Sequence, residues 1–127
     1  MATGTLSFWA QPDTTTQALM QVSTDDRVNL SSGVVTVAGF GTETVYIDGK
    51  QTNVFPDTNW HHITVVSGSN ITANNIRLGR TCTVPCTYLA GKLDDVCIYN
   101  YGLTVQQIKT LYNEGSAVRF GPTEGLP

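Results

Sequence analysis

The stretch "GKLDDVCIYNYGLTVQQIKTLYNEG", residues 91–115, carries two kinds of pattern back to back. Its first part, through Tyr99, reads as a hydrophobic strand. The remainder switches to helical spacing, with Val105, Ile108, Leu111 and Tyr112 on one face that should dock on apolar surface. Thr104 and Gln107, three residues apart, match a capping box, in which each side chain satisfies an amide the helix start leaves without a partner. Gly115 stands where a left-handed C-cap is expected. Asp94 and Asp95 resemble a catalytic pair at first sight, but adjacent strand residues point to opposite faces.

Working outward, everything upstream of this ending reads as short strands. "TLSFWAQ" (5–11), "ALMQVS" (18–23), "RVNL" (27–30) and "VVTVAGF" (34–40) are separated by polar turns. "ETVYI" and "KQTNVF" flank Asp48-Gly49, the strongest hairpin signal in the chain, because a two-residue turn of this kind wants positive φ at both positions. "PDTN" (56–59) then turns the chain into "WHHITVV" (60–66), and "NIRLGR" (75–80) begins another strand. Turns every eight to twelve residues predict an all-β chain, an antiparallel β-sandwich closed by one C-terminal helix. Residues 1–115 are expected to form the domain, and 116–127 a tail or linker.

Bulk properties agree with this reading. A chain of 127 residues is one domain with room for a two-layer core. Low charge and abundant Thr, Ser, Asn and Gly suit sheets with solvated faces. With a net charge of −3 and seven scattered basic residues, no nucleic acid partner is expected. No apolar run is long enough to span a bilayer, so no membrane insertion is expected. No signal peptide is visible at the start, which a chain beginning inside a longer exported protein would also show. Cys82 and Cys86 bracket "TVP" and either close a small loop disulfide, which implies an oxidising compartment, or are two free thiols. They lack the partner pair a zinc site needs. Cys97 reads as a small buried hydrophobe. The sequons at Asn29 and Asn70 are common by chance in such chains.

Taken together, "TLSFWAQPD" (5–13), "VYIDGK" (45–50), "WHHITV" (60–65), "IRLG" (76–79) and residues 91–115 resemble the laminin-G-like branch of the concanavalin-A-like lectin/glucanase superfamily, and span nearly the whole chain. The ending is the most specific part, since members commonly close with a Gly-x-Leu/Ile-Asp-Asp-Val-x-Ile-Tyr-Asn strand and a short helix. The resemblance implies a jelly-roll sandwich. The chain departs from the family in starting directly at the strand "TLSFWAQ", which members usually precede with another, and in placing "VYIDGK" before "WHHITV"; it reads as a compact variant.

The resemblance also implies candidate chemistry. Glucanases of this fold carry alternating acidic residues on one strand, and retaining hydrolysis needs carboxyls about 5–5.5 Å apart. Neither the three glutamates (Glu43, Glu114, Glu124) nor the adjacent pairs Asp25-Asp26 and Asp94-Asp95 provide that pattern, so no enzyme is expected. Asp94 matches a position that ligates Ca²⁺ in related sandwiches; the alternative is a carboxylate accepting backbone hydrogen bonds. On the "WHH" strand, Ile63 and Val65 share a face with His61, while Trp60 shares the other with His62 and Thr64. Trp60 and Tyr46 are the candidates for stacking on a sugar ring, with His62 as a hydrogen-bonding neighbour; the competing reading makes Trp60 core and the histidines satisfied by their neighbours. The expected function is that of a non-catalytic extracellular or cell-surface module for glycan recognition or adhesion to a surface protein, within a larger protein. The other reading is a subunit of a surface filament or pilus-like fibre, in which an exposed sheet edge self-associates by strand addition.

Overall fold

The computed structural model describes residues 4–23, 26–40, 43–68, 71, 75–82 and 86–120. Asp25, Glu124, sequon residues Asn70 and Thr72, and the side chains of Cys82, Cys86 and Glu114 lie outside the described residues.

The chain is mostly β, with antiparallel sheets and one helix, as the strand pattern predicts. The strands are β1 (Gly4–Pro12), β2 (Gln17–Gln21), β3 (Arg27–Ser31), β4 (Val34–Ala38), β5 (Glu43–Ile47), β6 (Lys50–Gln51), β7 (His61–Ser67), β8 (Arg77–Leu78), β9 (Arg80–Cys82), β10 (Cys86–Tyr88) and β11 (Gly91–Tyr99), and the helix α1 is Val105–Phe120. A five-stranded sheet has the order β11-β1-β7-β5-β6, a four-stranded sheet the order β4-β3-β2-β8, and β9 and β10 form a separate hairpin.

One apolar cluster draws on both large sheets. Leu6, Phe8, Ala10, Ile47, Ile63 and Val65 come from the first, and Leu19, Met20, Val28, Leu30 and Val35 from the second. Alternation along the strands puts most of these residues on one face, while in β2 an irregularity in register between Ala18 and Met20 brings the adjacent Leu19 and Met20 both into the cluster. Each buried Leu, Ile, Val or Phe contributes roughly 1.5–3 kcal/mol.

The opposite face of the five-stranded sheet is covered by α1. Ile108 is fully buried there, packed with Leu103 and Tyr46, and Val66, Tyr99 and Leu111 surround them. This second covering buries β1 from Gly4 through Ala10 on both faces. The capping box forms as expected: the amide of Thr104 donates to Gln107 Oε1 at 2.9 Å, and the amide of Gln107 donates to Thr104 Oγ1 at 3.2 Å. The loop before the helix is pinned by Thr5, whose buried hydroxyl donates to the Tyr101 carbonyl at 2.8 Å and accepts from the Leu103 amide at 2.9 Å.

The structure corrects three local expectations about the ending. The helix continues through Gly115 to Phe120, so Gly115 is not a C-cap. Val105 is 44 % exposed, and docking falls to Ile108, Leu111 and Tyr112. Cys97 is exposed rather than buried, because β11 is an edge strand.

The paired aspartates have a structural explanation. Against β1, Ser7 faces Cys97 while Trp9 faces Asp94, so β11 holds an extra residue in a β-bulge. Asp95 takes the left-handed conformation there (φ 51°), which Asp tolerates better than most residues, and its amide donates to Asp94 Oδ1 at 2.8 Å. The bulge resets the alternation so that Leu93 and Val96, three residues apart, both pack on the shared core.

The Asp48-Gly49 turn has the predicted geometry, with φ of 54° and 79° and Ile47 paired to Lys50. Gly49 also lies under the helix, where an added Cβ would sit 3.3 Å from Lys109 Cγ. The strand expected over "KQTNVF" shrinks to β6 and a single bridge between Val34 and Val54. "NIRLGR" splits at Gly79 (φ 75°) into β8 and the start of β9.

Candidate functional site

The residues picked for sugar stacking do not form an open platform. Tyr46 and His62 share the face of the five-stranded sheet that α1 covers, at 9 % and 3 % exposure. The His62 ring lies 5.1 Å from Trp9 and 6.4 Å from Tyr112, and its Nδ1 is 3.4 Å from the Thr64 hydroxyl. Burial pushes the His62 pKa down to about 4, against a smaller opposing pull from Asp48, so the ring is neutral in this aromatic setting. Trp60 directly precedes β7 and is half-buried. A ligand would have to displace the helix to reach Tyr46 or His62.

His61 faces the other way, edge-on to Phe55 at 5.0 Å, with Ile63 and Val65. Its Nδ1 is 2.5 Å from Asp48 Oδ2 and its Nε2 is 2.7 Å from Asp57 Oδ1. Asp48 also accepts the His62 amide at 2.9 Å, and Asp57 accepts the Asn59 amide at 2.9 Å. Burial alone would lower the His61 pKa, but hydrogen bonds and charge from the two carboxylates outweigh it and raise the value. Protonated, the ring donates to both carboxylates at once. That leaves no nitrogen free to take a proton from a substrate, so the trio acts as a clamp joining the hairpin turn, the loop before β7 and β7 itself.

Among the described residues, no group of three His, Cys, Asp or Glu side chains is placed to hold a metal ion. Asp94 is exposed and one of its oxygens is engaged by the Asp95 amide. Calcium takes six to eight oxygens, of which the Asp94 carboxylate supplies at most two.

A larger concavity, bounded by described residues, lies elsewhere, on the outer face of the four-stranded sheet. Alternation sends Val28 and Leu30 into the core and turns Arg27, Asn29 and Ser31 outward, with Thr36 of β4 opposite Asn29. The β9–β10 hairpin leans over this face. Thr81 Oγ1 donates to Asn29 Oδ1 at 3.1 Å and lies 3.0 Å from the Thr87 hydroxyl. Between hairpin and sheet runs a groove of about 740 Å³, lined by Thr16, Gln17, Ala18, Arg27, Asn29, Leu30, Ser31, Thr36, Thr81, Thr87 and Tyr88. Tyr88 is 66 % exposed, and the Arg80 guanidinium sits 5.5 Å from its ring centroid. The lining is rich in hydroxyl and amide groups that both donate and accept, and it contains no carboxylate.

Sequence reasoning missed this groove. The outward set Arg27, Asn29, Ser31 was legible in the alternation of "RVNLS", but β10 carries no periodic signal, so Tyr88 and the covering hairpin were not anticipated. The backbone ladder places Cys82 directly opposite Cys86. No helix among the described residues is long and apolar enough to cross a membrane. Comparison with protein-family models, curated proteins and solved structures found no match to this chain.

Proposed function

We propose that this chain is a non-catalytic, extracellular glycan-binding module, folded as a concanavalin-A-like jelly-roll sandwich of the laminin-G-like type, and that the groove under the β9–β10 hairpin is its binding site. The observation that carries this reading is the lining itself. A sugar presents hydroxyls that donate and accept together, and Asn29, Thr36, Thr81, Thr87 and Gln17 are of the types that answer both needs. Tyr88 adds an exposed aromatic face suited to the apolar side of a pyranose ring. Without carboxylates in the lining, the groove binds a glycosidic linkage and does not hydrolyse it. The jelly-roll assignment draws support from the core shared by the two sheets and from the pairing of "TLSFWAQ" with the closing strand.

The test is a glycan array backed by affinity electrophoresis, run with and without calcium. Binding is expected to weaken at least tenfold in Tyr88→Ala, whose exposed position leaves the fold intact, and to be unchanged in His62→Gln. A blank screen in both conditions, or a glycan retained equally by Tyr88→Ala, overturns the reading.

A further inference from the structure

We propose that the free edge of β11 is an acceptor site for an extended polypeptide segment, one that carries a large apolar side chain followed, four residues later, by a lysine or arginine. The proposal is independent of the glycan groove, which belongs to the other sheet.

The edges of the two sheets are treated very differently. β6 and β8 are only two residues long, and β4 is covered by the Val34–Val54 bridge and by the Val35 amide bonded to the Asn53 carbonyl at 2.8 Å. β11 is nine residues long, and among the described residues β1 is its only ladder partner. Every second residue of an edge strand turns its N–H and C=O outward, and an extended backbone is the ligand that satisfies such a row. The chemistry of the edge therefore specifies a peptide.

Two features make the edge selective. Its first half holds the bulge and the exposed Asp94 and Asp95, which repel an acidic strand and favour a basic one. Its second half runs into a concavity of about 280 Å³ where Tyr99, Tyr101, Leu103 and Leu111 meet, with Gln106 and Thr110 from the helix at its margin. Tyr101 is 49 % exposed and packs edge-on to Tyr99 at 5.7 Å, and Ile98 beside them is 37 % exposed. A side chain paired with Tyr99 from the free side points to the same sheet face as Tyr99, the face on which this concavity opens.

The spacing follows from β1, which already reads β11 from its other side. Thr5, Ser7 and Trp9, two residues apart, face Tyr99, Cys97 and Asp94, because the bulge absorbs the extra residue. A regular strand on the free side, antiparallel to β11, then places one residue at the tyrosine pocket and the residue four positions later at Asp94. Strand addition with a side-chain pocket is a recurring mode of peptide recognition.

The experiment uses the full chain, isotope-labelled, titrated with acetyl-TFTVTKT-amide and followed by amide chemical shifts and hydrogen exchange. Shifts and slowed exchange are expected along residues 91–99 and at Tyr101. The affinity should fall at least fivefold for acetyl-TFTVTDT-amide, for acetyl-TFTPTKT-amide, which lacks one amide donor, and for the Tyr101→Ala and Asp94→Asn proteins. Asp94→Asn keeps the carbonyl oxygen that the Asp95 amide uses, so the bulge survives. Perturbations confined to the β9–β10 groove, no perturbation at all, or equal affinity across the peptides would overturn the proposal. So would light scattering that shows the protein alone forming a dimer with residues 96–99 protected, since the occupant would then be a second copy.

Discussion

Acidification should unload this protein through His62 in a defined window. In the folded chain His62 is 3 % exposed and its pKa is pushed down to about 4 by burial, whereas an unfolded histidine titrates near its ordinary value of 6.5. The folded value is depressed, so the unfolded chain takes the proton first and stability falls as pH drops from about 6.5 toward 4. A gap of about 2.5 pH units, at about 1.4 kcal/mol per unit, amounts to about 3 kcal/mol lost across the window. In the middle of it, unfolding free energy should change by about 1.4 kcal/mol per pH unit. The neighbouring clamp does not blur the effect. The folded pKa of His61 is raised, so its contribution is complete below about 6.5 and is lost only as pH rises through the raised value. The pKa of Asp57 is lowered by the Asn59 amide and then by His61, so its contribution is lost only as pH falls below the ordinary carboxylate value of 3.8. The assay is urea denaturation at half-unit steps from pH 4 to 9, read by tryptophan fluorescence, since Trp9 lies against the His62 ring. His62→Gln should flatten the acid limb between pH 4 and 6.5, and His61→Gln the alkaline limb. An acid limb equally steep in His62→Gln would refute the reasoning.

Thr5→Val keeps the shape of a fully buried side chain but strips the Leu103 amide and the Tyr101 carbonyl of their partner; guanidinium denaturation should show a loss of about 2–3 kcal/mol, with Thr5→Ser losing clearly less. Gly91→Ala forces a Cβ within 2.5 Å of the Gln11 carbonyl oxygen at φ 153°, and the unfavourable backbone by itself should cost about 1–3 kcal/mol in the same measurement. At Asp95, φ 51°, a glycine should be accepted within about 0.5 kcal/mol while a β-branched valine should lose about 1–3 kcal/mol, seen as a drop in thermal midpoint; equal midpoints for the two would remove the bulge argument.

What was readable in the residues is what local chemistry specifies. The Asp48-Gly49 turn, the Thr104/Gln107 cap and the two-residue alternation depend on groups within a few positions of one another, and each appears where its pattern places it. The all-β character followed because many such signals agreed. The site was less legible for the same physical reason in reverse. Alternation tells which residues share a face, and it sorted His61 from His62 correctly, but it does not tell what covers that face. Covering depends on contacts between distant segments: α1 arrives from some fifty residues downstream to bury Tyr46 and His62 against Ile108 and Tyr112. Likewise Asp48 and Asp57 close on His61 only once hairpin and loop have folded. The extra residue at Asp95 becomes visible only against β1, nearly ninety positions away in sequence. By itself the sequence determined the turns, the cap and the strand-rich class; which faces stay open, and therefore where a ligand can bind, was decided by tertiary packing, because exposure belongs to pairs of elements rather than to any one of them.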